Sequence, residues 1–118
     1  MEESMENNKK IPFYSLEIGG KSYMLRLTAS AAVRLEERLG CSVYEGAKRL
    51  NEITVVTEFL YAMIEGFTPE ITRSCVYLLF DEYINEGGTV RKLNGIIAEV
   101  LDRSGFFDCG DGATQPQS

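Results

Sequence analysis

The sequence predicts a mostly helical α+β fold, an N-terminal β-hairpin followed by a bundle of four to five helices. Three observations predict it. Apolar residues alternate with period two on both sides of "GGK" near the N-terminus. Every apolar stretch after that point repeats in steps of three and four. The stretches are separated by Thr, Ser, Pro and Gly at positions where helices start and stop. With 118 residues, the chain has room for one hydrophobic core and not for two.

Residues 1–11 read as a solvated, disordered leader. The single domain then runs over 12–107, and a flexible polar tail over 108–118. In "FYSLEIGGKSYMLRLT", Tyr14, Leu16 and Ile18 alternate with Phe13, Ser15 and Glu17. Beyond the glycines, Tyr23, Leu25 and Leu27 alternate with Met24 and Arg26. This is a hairpin signature. A Gly19-Gly20 loop and a Gly20-Lys21 loop both keep the apolar sets on one face, so the register stays open while the face is set. Two strands alone rarely hold together in water, so the hairpin must lie on the helices or find a partner strand, and its edges are open to pairing.

Thr28 is placed to cap "ASAAVRLEERLG", with Ala32, Leu35 and Leu39 in one stripe and Gly40 as the stop. Ser42 is placed to cap a short helix in "SVYEGAKRL". Asn51 opens "EITVVTEFLYAMIEGF", whose buried face is Ile53, Val56, Leu60, Met63 and Phe67. Val55, Phe59 and Ile64 widen that face, which makes this the central helix. The next helix is expected to begin with Thr68 as cap, Pro69 in the first turn and Glu70 near the positive dipole end. Its inward set is Ile71, Cys75, Leu78 and Leu79, with Val76, Phe80 and Tyr83 as a second apolar strip and Gly87-Gly88 as the end. Thr89 caps "VRKLNGIIAEVLDRSG", which buries Leu93, Ile97, Val100 and Leu101 and stops at Gly105. After that stop, Phe106 and Phe107 are expected to fold back as a hydrophobic clasp.

The formal net charge of −6 argues against a nucleic-acid surface, where phosphate neutralisation dominates affinity. No apolar run approaches the ~20 residues needed to span a bilayer, and the polar N-terminus is no signal peptide. A cytoplasmic protein is expected. The three cysteines, Cys41, Cys75 and Cys109, have unrelated flanks and no close pairing, so they read as free thiols. With no histidine and no close Cys pair, neither a zinc site nor any other metal or cofactor is expected.

Signs of catalysis are equally thin. "IGGKS" looks like a phosphate loop, but the upstream glycine spacing is missing and it lies between two strands rather than opening a helix. Glu36 and Glu37 point about 100° apart on a helix, which suits a charged strip with Arg34 and Arg38 in reach for helix-spaced pairs. Asp81, Glu82 and Glu86 lack the loop spacing of a calcium site and read as a solvated acidic face. No enzymatic activity is expected.

The stretch "IGGKSYMLRLTASAAVRLEERLG" resembles the opening of small tail assembly chaperones of long-tailed bacteriophages and prophages, especially those of Gram-positive hosts. The matching residues are Gly20, Lys21, Tyr23, Leu25, Leu27, Thr28, Leu35, Glu36, Leu39 and Gly40. "YINEGGTV" and the closing "SGFF" are similar to the same family's C-terminal half, so the resemblance spans roughly residues 13–107. It implies a non-catalytic protein that binds the long, helical tape measure protein while tail tube subunits assemble around it. Such a protein acts in the bacterial cytoplasm and is absent from the finished virion. It also implies a frameshifted longer product departing near the end of the domain. Candidate partner-binding groups are Val76, Phe80 and Tyr83, with Phe106 and Phe107 at the end of the last helix. Packing within the domain is the other reading of the same side chains. Self-association through the hairpin edge is a further expectation. A different small adaptor or a regulator from a mobile element remains the alternative.

Overall fold

A computed structural model of the chain describes residues 13–106, and the expectations for the leader, for Phe107, for Cys109 and for the tail lie outside them. The architecture is α+β. Strands β1 (Tyr14–Ile18) and β2 (Lys21–Leu25) form an antiparallel hairpin. Five helices follow: α1 (Ala29–Leu39), α2 (Val43–Ala47), α3 (Ile53–Glu65), α4 (Arg73–Asn85) and α5 (Val90–Arg103).

The hairpin resolves the open register in favour of the Gly19-Gly20 loop, with Ile18 opposite Lys21 and Tyr14 opposite Leu25. Both loop residues have positive φ, 63° and 80°, as a two-residue turn matching strand twist requires. A Gly20-Lys21 loop would have forced a lysine into that region. Leu16, Ile18 and Leu25 are buried on one face, and Leu27 follows them into the core.

Helix α3 is the centre. Val55, Val56, Phe59, Leu60, Ala62, Met63 and Ile64 are all buried, and α1, β2, α4 and α5 each pack against it. Its one buried hydroxyl, on Thr57, donates to the Ile53 carbonyl at 2.9 Å, so that hydroxyl is satisfied. The helix starts one residue later than Asn51 would place it, from Glu52 at the cap. It also ends before Phe67, which is therefore not on the buried face. Phe67 instead meets the Phe13 ring edge-on, with centroids 5.8 Å apart.

The caps read from sequence hold wherever one local hydrogen bond decides. Thr28 accepts from the Ala31 amide, Ser42 from Glu45 and Thr89 from Lys92. Gly40 takes a left-handed conformation and closes α1 onto the Glu36 carbonyl. At the end of α5 the Gly105 amide donates to Asp102 and the Phe106 amide to Leu101. Those two bonds make a Schellman stop.

Helix α4 departs from expectation at its start. Its cap is Thr72, accepting from the Cys75 amide at 3.2 Å, not Thr68. Residues 68–71 form a turn instead, closed by the Ile71 amide on the Thr68 carbonyl. Pro69 stands at the second position of that turn, where its fixed φ is as well suited as in a first helical turn. The Thr68 amide is already committed to the Ile64 carbonyl at the end of α3.

The hairpin is latched to helix ends at four polar points. The Gly19 amide donates to Glu86 Oε2 at 2.7 Å at the end of α4. The Arg26 amide donates to the Met63 carbonyl, and the Leu27 amide to Ser104 Oγ, each at 3.0 Å. Arg103 Nη1 donates to the Phe13 carbonyl at 2.8 Å. A Cβ at Gly19 would run into the Glu82 carboxylate, whereas one at Gly20 would meet nothing. We therefore expect Gly20→Ala to cost about 1 kcal/mol, the price of a left-handed L-residue. Gly19→Ala should cost about the same, because the Glu82 carboxylate it would meet is the end of an exposed side chain that can swing aside. Denaturant melts of the two variants check this, and a clearly larger loss at Gly19 would show that Glu82 is held in place against the turn.

Candidate interaction surface

The apolar residues of α4 surround most of its circumference, and a helix of this small domain cannot bury them all. Val76, Leu79 and Tyr83, spaced three and four apart, win the core-facing side, with Phe80 partly buried beside them. The expected inward set is thus corrected: Cys75 and Leu78 face out, and only Leu79 of that set is buried, with Ile71 partly so. Val76 and Tyr83, read as partner contacts, are occupied within the domain. Phe106 is 37% exposed, so its backbone completes the α5 stop while the residue stays partly open to solvent.

What α4 leaves outside is more apolar than the candidate groups read from sequence. Leu78 is 67% exposed, the most of any large apolar side chain among the described residues, Tyr77 is 49% exposed and Ile84 38%. Tyr77 and Leu78 are neighbours about 100° apart on the helix, and each walls a different groove. Between β2 and α4 lies a groove of about 360 Å3 lined by Lys21, Tyr23, Ile71, Cys75, Leu78 and Leu79. On the other flank, Ile53, Thr57, Tyr77, Phe80 and Asp81 line a smaller one of about 270 Å3. Sequence reasoning passed over Tyr77 and Ile84 and placed Leu78 and Ile53 on buried faces, whereas Ile53, in the first turn of α3, is exposed like Leu78. The available signal was the all-round apolar character of α4, which requires some of it to stay uncovered.

The acidic residues after Leu78, Asp81, Glu82 and Glu86, are all exposed, as read from the sequence, and two of them also meet the hairpin turn. Glu86 holds the hairpin turn, and Glu82 abuts Gly19. Asp81 and Glu82 pair with no cation among the described residues.

A charged cross-link fixes α4 against its neighbours. Glu58 of α3 accepts from Arg38 Nε of α1 at 2.6 Å and lies 3.1 Å from Arg73 Nη2 of α4. Both guanidinium groups lie over the Tyr61 ring, at 4.9 Å and 5.3 Å from its centre, adding cation–π attraction. Arg34 reaches Glu65 of α3 at 3.3 Å. The helix-spaced pairs expected for Arg34 and Arg38 are thus replaced by contacts across helices. Glu36 turns the other way and accepts from the Val43 amide at 2.7 Å, fastening α1 to α2.

A third depression, about 420 Å3, lies beside Tyr14, Tyr83, Lys92, Gly95, Ile96 and Glu99. Among the described residues no three His, Cys, Asp or Glu side chains converge as a metal site, and Cys41 and Cys75 are free thiols. No helix among them is long and apolar enough to cross a membrane. Comparison with protein-family models, with curated proteins and with solved structures finds no match to this chain.

Burial pushes the Tyr83 phenol above its ordinary value of 10.0, and the nearby Tyr14 adds to the rise. The fold therefore favours the neutral phenol. Its stability contribution is complete below the ordinary tyrosine range and is lost as pH rises through the higher value of Tyr83. An absorbance titration should show one late-ionising tyrosine that disappears in Tyr83→Phe. A titration with no late component, or one unchanged by the substitution, would contradict the packing described.

Proposed function

We propose that this chain is a tail assembly chaperone of a long-tailed bacteriophage or prophage. It binds the tape measure protein, and tail tube subunits, without catalysis, in the cytoplasm of the bacterial host. The observation that carries the reading is the uncovered apolar side of α4, with a groove on either flank. A domain of this size gains stability from every apolar side chain it covers, so a side left open on a helix fixed by the Arg38–Glu58–Arg73 cross-link suits contact with another chain. The resemblance in sequence supports the same reading. Its residues fall at the hairpin turn, the β2 strand, the Thr28 cap and the Gly40 stop.

Coexpression with the tape measure protein encoded beside it is the direct test. The two should copurify, and the tape measure protein should become more soluble. Failure of both would overturn the reading.

Self-association belongs to the same proposal. The sheet has only two strands among the described residues, so each strand keeps an edge without a partner strand, which is a template for pairing. Sedimentation velocity should show oligomers growing with concentration. A single monomeric species at high concentration would remove this part of the reading.

A further inference from the structure

We propose that two copies of this chain pair through α5, antiparallel, about a two-fold axis that passes beside Gly95 and Ile96. The inference goes beyond the chaperone reading and the open hairpin edges, and it rests on neither. Two residues of α5 are poor choices for the helix itself. Gly95 lies in the middle of α5, where glycine is the least favourable residue after proline. A Cβ there would meet nothing within 4 Å, and its φ is not positive, so neither crowding nor backbone conformation within the domain requires glycine. Lys92 stands in the first turn, three residues after the Thr89 cap. The positive end of the helix dipole disfavours a cation there, and a glutamate would complete a capping box with Thr89. The Lys92 ammonium forms no ion pair among the described residues. Both residues line the same depression, with Tyr14, Tyr83, Ile96 and Glu99.

The occupant follows from the order of these residues. Lys92, Gly95, Ile96 and Glu99 are spaced so that they share one side of α5. Opposite charges stand at the two ends of this row, about 10 Å or two turns apart. A second α5 laid antiparallel over it, centred between 95 and 96, sets Lys92 of each copy level with Glu99 of the other. Both ends then carry the same pair, as a two-fold contact requires, and opposite charges face each other. Parallel helices would instead set Lys92 against Lys92 and Glu99 against Glu99. Arg103 Nε donates to Glu99 Oε2 at 2.7 Å, so the carboxylate is oriented before the second copy arrives. Gly95 falls at the crossing, where a missing side chain lets two helices come to the short end of the usual 8–10 Å or so. Ile96 and the Tyr14 ring, both half-buried, supply apolar surface beside it.

Sedimentation velocity of the purified chain over a concentration series should show monomers and dimers in equilibrium. Lys92→Glu and Glu99→Lys each bring like charges together at both ends, and each should weaken the dimer by about tenfold or more. Mixed, the two variants face each other with opposite charges at both ends. A labelled Lys92→Glu chain should therefore bind unlabelled Glu99→Lys within about threefold of the wild-type affinity, read by fluorescence anisotropy. Gly95→Gln should weaken the dimer by about tenfold, yet raise the unfolding midpoint of the dilute monomer by about 4 °C. A glycine with a role only inside the domain would not give that opposition.

A wild-type chain that stays monomeric would overturn the pairing. So would charge variants that associate as wild type does, which would leave the hairpin edges to carry association. A mixture that restores nothing would overturn the antiparallel register, and undiminished association of Gly95→Gln would overturn the close crossing. Circular dichroism verifies each fold. If Glu99→Lys does not fold, Lys92→Glu and Gly95→Gln, which both favour the helix, still decide the pairing. None of these measurements includes the tape measure protein, so the chaperone reading stands or falls separately.

Discussion

Covering α3 is the constraint on which the rest of the structure depends. With seven apolar side chains buried over its length, this helix has no side it can leave in water without losing roughly 1.5–3 kcal/mol for each large residue exposed. One neighbour cannot cover such a helix, so α1, α4, α5 and the strand β2 are arranged around it. The charged groups that α3 does carry lie where neighbours need fastening: Glu58 between Arg38 and Arg73, Glu65 against Arg34. Apolar cover sets which elements meet. The ion pairs then fix how α1 and α4 sit on it.

The hairpin solves a second problem in the same way. A two-stranded sheet is marginal in water, and this one gains its stability by laying Leu16, Ile18 and Leu25 on the helices. Its backbone is secured by groups at helix ends: Glu86 beyond α4, the Met63 carbonyl near the end of α3, Arg103 and Ser104 at the end of α5. Those latches bring β2 alongside α4, and the groove between them is a by-product of that placement. The turn glycines are thus part of the surface as well as of the hairpin, since the Gly19 amide is one side of the contact that spaces strand from helix.

Local features of the fold were legible in the sequence because their causes are local. A threonine or serine cap needs only an amide three residues on, and Thr28, Ser42 and Thr89 each found one. The buried face of α5 was legible too, because its apolar residues lie on one side only. Thr68 was misread because two threonines, four apart, were equally good caps, and the Ile71 amide closes a turn on the Thr68 carbonyl ahead of Thr72. The orientation of α4 was misread for a related reason. Its period was clear, but two apolar strips satisfied it, and only the position of α3 ranks Val76, Leu79 and Tyr83 above Cys75 and Leu78. The partners of Arg34 and Arg38 were hidden likewise, since spacing along α1 says nothing of carboxylates on α3. As for the candidate surface, aromatic residues drew attention toward Phe80 and Tyr83, while the most exposed large apolar group among the described residues is a leucine.

Leu78 also bears on what the domain is for. A fold shaped only by its own stability gains nothing from leucine at a position two-thirds exposed, where lysine or glutamate would be as helical and more soluble. The neighbouring positions show that the chain does use such residues on this helix: Asp81, Glu82 and Asn85 are all outward. An isolated exposed leucine needs no explanation. Leu78 is not isolated, because Cys75 lies one turn before it on the same groove wall, Ile71 of the preceding turn lines the same groove, and Tyr77 and Ile84 are exposed on the same helix. Solubility is then left to the surrounding charge, which is acidic over the chain as a whole. That combination is unfavourable for the domain alone and favourable in a complex. The apolar side chains contribute free energy only when something covers them.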